Sequence, residues 1–571
     1  MKKILCLSFA LLWICSSLMA QKPWDNGKLK VSENGRYLQH ENGTPFFWLG
    51  DTSWLLFQRL NREQVKTYLE NRKAKGFNVI QCIFYQFYTD KNAYGDYGFA
   101  DSDLTQPIHT PGNDPNDPAQ YDYWDHVDYV VDLAAEYGMY VAIVPTWSHL
   151  ILRDKNMTVQ KAEIFAAHLA DHFKDRPNII WINGGSAKPH VNTDIWNAIG
   201  KNLRKYDPNH LITFHTFGRM QSSEAFHNAE WLDLNMFTSG HRNYEQDDTE
   251  KGYGEDNWRY VLDDLSKKPQ KPTIDGEPSY ESLPQGLHDH SMPYWTDSDV
   301  RRYAYWSVFA GACGHVYGQN SVRQVYIEGV NKPESGAKIS FFEALDDEGS
   351  FDMQYLKNLM LSRPYFDRVN AQFLLVDEGE RYDRVLVTRG ADYLMAYDYT
   401  GRAFTLKLGA IEGETLRVWW YDPTTGEAID KGTIKNKGEK KFKAPKSKEH
   451  TDWVLVLDNG TTRTYATDEM VRKATLHLLG DRNGQIEAPL INTYAEYLLD
   501  YSHINGLYRS NSSGNTLNLT LSTNACVAAL DGLGSRRGTV GVYNYQTGEI
   551  LCMVSSGTYD PDDAPGMDTL D

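Results

Sequence analysis

The decapeptide Lys271 to Tyr280, KPTIDGEPSY, sets one carboxylate at the end of a short apolar run. Pro272 to Gly276 reads as a buried strand, and Gly276 and Pro278 turn the backbone where Glu277 sits. A carboxylate at the C-terminal end of a late strand in a (β/α)8 barrel is placed to attack a glycosidic carbon. A lone Glu between Gly and Pro more often belongs to a polar turn, so the other strand ends decide its meaning.

Those ends come from a regular alternation. Apolar runs at Phe46 to Asp51, Asn78 to Phe84, Met139 to Trp147, Asn178 to Gly185, Leu211 to Phe217, Trp231 to Phe237, Pro272 to Glu277 and Ala312 to Gly318 read as eight strands. They are nearly continuous in apolar residues, as strands covered on both faces are. Helical spacing predicts helices over Asn61 to Lys75, Asp122 to Tyr137, Thr158 to Lys174, Thr193 to Tyr206, Asn257 to Ser266 and Asp299 to Gly311. This pattern predicts a (β/α)8 TIM barrel over about residues 25–365. No Gly-rich phosphate loop follows the first strand, which disfavours a doubly wound nucleotide-binding sheet. A long loop rich in Tyr, Asp, Gly and Pro, Tyr85 to Tyr121, is expected to face substrate.

Residues at the C-terminal ends of barrel strands converge on one pocket. Here they include Asp51 and Trp54, Tyr85, Trp147, Asn183 with Ser186, His215, His241, and Glu277 with Tyr280. Carboxylates, imidazoles and aromatic rings together suit a sugar. Each alone is more often a packed or hydrogen-bonded structural residue; the joint occurrence carries the weight. Retention of anomeric configuration requires two carboxyl groups about 5–5.5 Å apart, a nucleophile and an acid/base. Glu277 is one, and the fourth strand end offers Asn183-Gly184-Gly185-Ser186, with no carboxyl group.

The segments FFWLGDTSW (46–54), NIIWINGG (178–185), HTFGR (215–219), LNMFTSGHR (234–242), PTIDGEPSYE (272–281) and FAGACGHVYGQNS (309–321) together resemble the apiosidase-like glycoside hydrolases. The resemblance covers about 25–458 and implies a barrel followed by a small β-domain of collagen-binding type. It implies a retaining enzyme acting on plant cell-wall pectic side chains, with Glu277 as nucleophile. It also implies an acid/base Asp in a GGD motif, at the position that Ser186 holds here. A serine hydroxyl is too weak an acid to protonate a leaving oxygen, and loss of a general acid costs about 10²–10⁴ in rate. Three readings stay open on sequence grounds: a catalytically inactive carbohydrate-binding pseudoenzyme, a substitute proton donor such as Asp51, or an engineered serine. Asp275, two residues before Glu277, is expected to make a structural hydrogen bond deeper in the barrel.

The chain has 571 residues, a net charge of -18 and 13% aromatic residues. That balance disfavours nucleic acid and anionic membranes as partners and suits an oligo- or polysaccharide. Residues 1–20 read as a secretory signal, with Lys2 and Lys3 before an apolar run and Leu18-Met19-Ala20 before Gln21, so a secreted or periplasmic location is expected. Lipoprotein anchoring through Cys15 is the weaker reading, and no later run has the length of a membrane span. The four remaining cysteines show no metal-ligand or disulfide spacing. No cofactor or metal is expected, and the acidic loop Asp101 to Asp125 matches no calcium motif. Oligomeric state is not legible.

After Pro364, residues 366–458 read as a small β-sandwich, with strands at Phe373 to Val376, Arg384 to Arg389, Tyr393 to Tyr399, Phe404 to Leu408, Leu416 to Tyr421 and Trp453 to Leu457. The tail, 463–571, is α+β in texture: Thr467 to Leu479 is expected as a helix, and Thr516 to Leu521 and Thr539 to Tyr545 as strands. RKATLHLLGD (472–481) and GTVGVYNYQTGEILCMVSSGTYDP (538–561) resemble the stretch before the transpeptidase domain of penicillin-binding proteins. The serine motif of that family lies beyond this stretch, and the SxxK at Ser335 to Lys338 sits in the barrel, so no acyl transfer is expected.

Overall fold

The computed structural model describes residues 22–152, 157–459, 466, 468–480, 486, 490, 501–502, 507–508 and 519–561. The expected leader and most of 481–518, including part of the expected strand Thr516 to Leu521, lie outside them.

Eight short strands follow the predicted order: β1 (Trp48–Thr52), β2 (Val79–Tyr85), β3 (Tyr140–Thr146), β4 (Ile179–Ala187), β5 (Ile212–Thr216), β6 (Asn235–Thr238), β7 (Thr273–Asp275) and β8 (Gly314–Tyr317). Every residue of β2 and β3 is buried, which explains their unbroken apolar sequences. A continuous parallel sheet runs from β8 through β1, β2, β3 and β4 to β5, and β6 pairs in parallel with β7. Two looser seams join these parts. At one, Asp233 N–H donates to Ile212 O at 2.9 Å; at the other, Cys313 N–H donates to Thr273 O at 3.0 Å. Closure between β8 and β1 needs glycine at 314, where a Cβ would stand 2.2 Å from the Trp48 carbonyl.

Helices α1 (Arg62–Ala74), α2 (Tyr123–Glu136), α3 (Val159–Phe173), α4 (Thr193–Tyr206), α5 (Asn257–Ser266), α6 (Asp297–Ala310) and α7 (Glu348–Leu361) flank the strands. Their starts are written in the sequence. Asn61 and Gln64 close a reciprocal capping box at α1, and the Asp122 carboxylate accepts from the Trp124 and Asp125 amides at α2. A three-stranded antiparallel meander (Leu29–Val31, Leu38–His40, Pro45–Phe46) precedes β1. Its Phe46 packs edge-on against Tyr140, the first residue of β3, so the meander covers the end of the barrel opposite the strand C-termini.

The 369–458 region is all-antiparallel β. Val369–Asn370, Val385–Arg389 and Tyr393–Asp398 pair in sequence order, and Phe404–Leu408 pairs with Gly438–Phe442. The expected strand at Phe373 to Val376 is instead a 3-10 turn, Gln372–Leu374. The strands Ala428–Lys435 and Gly438–Phe442 were hidden in the sequence because they are mostly exposed and rich in Lys, Glu and Gly, with little apolar alternation. In the tail, a helix at Glu469–Leu479, a helix at Thr523–Leu533 and the hairpin Thr539–Tyr543 with Ile550–Ser555 gather around Ala474, Cys526, Cys552 and Val554. Among the described residues no helix is long and apolar enough to cross a membrane.

Arg301 on α6 ties three elements together. Its guanidinium reaches both carboxylate oxygens of Asp452 at 2.8 and 3.0 Å and Asp352 of α7 at 2.6 Å, and the residue is 1% exposed. Burial alone would raise Asp452, yet His450 and Arg301 hold it down at about 2. Removing the cation strands two carboxyl groups out of water, so Arg301→Met is expected to destabilise this unit by about 3–5 kcal/mol. The urea midpoint checks this, and Asp452→Asn in the same background is expected to recover part of the loss.

Candidate active site

The turn after β7 is fixed from two sides. The Gly276 N–H donates to Phe237 O of β6 at 2.8 Å, and the Gly240 N–H donates to Glu277 O at 3.1 Å. Gln81, inside β2, donates its amide to Gly276 O at 3.0 Å. A Cβ at position 276 would meet Met236 Sδ at 2.4 Å, so any larger residue there would have to displace the Met236 side chain. Glu277 is thereby held at the strand end with 9% exposure.

Its carboxylate has three partners. Oε2 lies 3.1 Å from His215 Nε2 at the end of β5. Oε1 lies 3.3 Å from His241 Nε2 and accepts from the Tyr280 hydroxyl at 2.7 Å. That hydroxyl in turn accepts from Trp54 Nε1 at 3.1 Å. Trp54 packs edge-on against Trp147 and His215, with ring centroids 5.2 Å away in both cases.

The fourth strand end has an unusual backbone. Gly184, Gly185 and Ser186 all have positive φ, at 99°, 99° and 51°, and the β4–β5 register shifts between Gly184 and Ala187. A Cβ on Gly184 would fall 2.5 Å from His215 O, which explains the first glycine. The bulge aims the Ser186 N–H at His215 Nδ1, 2.9 Å away. Because Nδ1 accepts that bond, the ring proton of neutral His215 resides on Nε2, facing Glu277. Ser186 and Glu277 therefore engage the two nitrogens of one imidazole.

Burial would raise the Glu277 pKa, but the hydrogen bonding of His215 and His241 outweighs it and holds the carboxyl well below its ordinary value. The group is ionised at neutral pH, as a nucleophile must be. Since folding lowers this pKa, the ionised carboxylate contributes stability above its unfolded value and loses it as the pH falls towards the folded value.

The structure brings together Trp54, Trp147, Ser186, His215, His241, Glu277 and Tyr280. It moves three expected contacts elsewhere. Asp51 is fully buried and turned towards the helix layer, where its Oδ2 accepts from Tyr68 at 2.6 Å and pairs with Arg72 at 2.7 Å, both on α1. It therefore cannot supply a proton at the mouth. Asn183 also faces outward, donating to Trp196 O of α4 at 2.9 Å and accepting from the Gly184 N–H. Tyr85 is buried among Phe84, Phe99 and Tyr123, with its hydroxyl on Asp90 O at 3.2 Å. The long loop above it thus encloses aromatic rings at its base, although Phe87 is 42% exposed and packs against His149 with the rings tilted. Asp275 makes the structural bonds expected of it, to Ser239 Oγ at 2.7 Å and Asn257 at 3.1 Å. Sequence reasoning missed Gln81; the available signal was one polar residue inside an otherwise apolar strand.

Among the described residues no group of three His, Cys, Asp or Glu could hold a metal ion. A cavity of about 650 Å³ lined by Tyr244, Trp258 and Arg384 lies apart from Glu277.

A barrel with an ionised, largely buried carboxylate at its seventh strand end, beside tryptophan and tyrosine rings, has the architecture of a glycoside hydrolase. A family model described as "Apiosidase-like, catalytic domain" matches residues 32–367, and one described as "Putative collagen-binding domain of a collagenase" matches 369–458. The chain belongs to the apiosidase-like family. It is similar to a solved glycoside hydrolase at 44% identity, with 78% of this chain and 99% of that one covered and a TM-score of 0.73. It is also similar to a glycoside hydrolase family 5 structure from Bacteroides vulgatus, at 43% identity, 77% and 94% coverage and a TM-score of 0.72. No curated protein matches the chain. The resemblance of the tail to penicillin-binding proteins gains no support from these matches.

The imidazole clamp predicts a titration. By ¹³C NMR the Glu277 carboxyl is expected to titrate below 4.5, the ordinary value, and His215→Ala is expected to move it upward, because burial persists while one partner is lost. An unchanged titration would remove the clamp from the account.

Proposed function

We propose that this protein is a retaining glycoside hydrolase acting on the pectic side chains of plant cell walls, with Glu277 as nucleophile. The observation that carries the reading is Glu277 itself: ionised, held by His215, His241 and Tyr280, and 9% exposed at the end of β7. The match to the apiosidase-like family supports the pectic substrate class. The leader at 1–20 favours export to the periplasm or medium, where such polymers are met. The tail has no part in this reading.

Competence is the open chemical point. Ser186 stands at the family's acid/base position and supplies no proton at neutral pH. This favours slow turnover of ordinary glycosides, or, as the second reading, a carbohydrate-binding pseudoenzyme with no turnover. The backbone at 186 favours repair by a single change. Its φ of 51° lies in the left-handed region, where aspartate is among the better-tolerated side chains.

Ser186→Asp is expected to raise hydrolysis of pectic rhamnogalacturonan fragments by about 10²–10⁴, with retained anomeric configuration in the product. Glu277→Gln in that background is expected to abolish it. Equal rates for serine and aspartate at 186 would mean that another group donates the proton. Sugar binding without turnover by either form would establish the pseudoenzyme reading.

A further inference from the structure

The carboxyl groups around Glu277 are committed to other tasks. Asp51 faces Arg72 and Tyr68, and Asp275 faces Ser239 and Asn257. Glu281 lies four residues beyond Glu277, and burial pushes its carboxyl up to about 8. It is 5% exposed, and its two oxygens accept from Tyr317 and from the Gly349 N–H. It therefore forms part of the packing between the loop after β7 and the start of α7. The two imidazoles beside Glu277 are committed as well: His215 Nε2 lies 3.1 Å from its carboxylate while Ser186 N–H occupies Nδ1, and His241 directs Nε2 to the same carboxylate. Among the described residues, the carboxyl and imidazole groups named here are engaged elsewhere, and none of them is placed to protonate a departing oxygen.

From this we infer that the protein turns over glycosides whose aglycone leaves as a stabilised anion: glycosyl esters of carboxylic acids, or glycosides of acidic phenols. The inference rests on the reading of Glu277 as nucleophile. In the first step a Glu277 oxygen bonds to the anomeric carbon. The bond from that carbon to the aglycone oxygen breaks, and its electron pair leaves with the phenolate or carboxylate. No proton donor takes part. In the second step water reacts slowly, because Ser186 is no base. An anionic nucleophile such as azide needs no deprotonation; it bonds to the anomeric carbon, and the electron pair of the ester bond returns to Glu277. The net change is glycosyl aryl ether plus azide to glycosyl azide plus phenolate, with configuration retained by two displacements.

The test uses the full chain and its Ser186→Asp variant on a panel of 2,4-dinitrophenyl and methyl glycosides of neutral pentoses, hexoses and deoxyhexoses, with and without sodium azide. For the parent chain the expected result is dinitrophenolate release at least about 100-fold faster than methanol release from the same sugar. Azide is expected to accelerate steady-state release and to yield the glycosyl azide of retained configuration. Mass spectrometry is expected to place a glycosyl adduct on the peptide bearing Glu277 when azide is omitted. If Ser186→Asp is active while the parent releases no dinitrophenolate even with azide, the inference falls and the hydrolase reading stands. Similar parent rates for methyl and dinitrophenyl glycosides, unaffected by azide, would reveal a proton donor and also overturn it. Activity in neither form, on any donor, overturns both.

Discussion

The site is organised by one constraint, the need to keep a carboxylate ionised with little water around it. An unpaired buried carboxylate takes up a proton, because desolvation penalises the charged form. Glu277 escapes this through partners delivered by separate strand ends: His215 from β5, His241 from the loop after β6 and Tyr280 from its own loop. Each partner must be placed to within a few tenths of an ångström, which explains much of the local backbone. Gly276 lets β7 run against Met236, Gln81 holds the Gly276 carbonyl, and the bulge at Gly184 to Ser186 orients the His215 ring through its second nitrogen.

The same constraint separates the other acids into classes. Asp51 and Asp452 pair with buried arginines. Asp275 and Glu281 instead sit in hydrogen-bonded pockets where burial raises their carboxyls to about 6 and about 8. These groups build the barrel and its contacts with the helices. Proximity in sequence to Glu277 is therefore a poor guide to chemical role: Asp275 is two residues away and points into structure, whereas His215 is distant in sequence and touches the carboxylate.

The fold was legible because its period is legible. Eight apolar runs, each followed in most cases by a capped amphipathic stretch, leave few architectures other than a parallel barrel. Glu277, Trp54, Trp147, His215, His241 and Tyr280 come together because strand C-termini converge in that architecture. Two of the misreadings share one cause. At a strand end, alternate side chains face the mouth and the helix layer, and a one-residue uncertainty in the boundary exchanges them. Asp51 and Asn183 were assigned to the mouth and lie on the outer face. Tyr85 failed for a different reason: the loop above it folds down, so its ring becomes core. The exposed Lys-rich strands at 428–442 carried no apolar pattern from which to read them.

Position 186 separates scaffold from chemistry. Three consecutive residues with positive φ are costly to maintain when one is not glycine, and a serine gains nothing from that conformation. The bulge is nevertheless intact, its amide is spent on His215, and through that ring it supports the charge on Glu277. The backbone at this strand end thus supports Glu277 whatever side chain stands on it. Under the proposal above, a serine at 186 donates no proton yet leaves the first displacement intact. Which substrates can react is then set by the acidity of the leaving group.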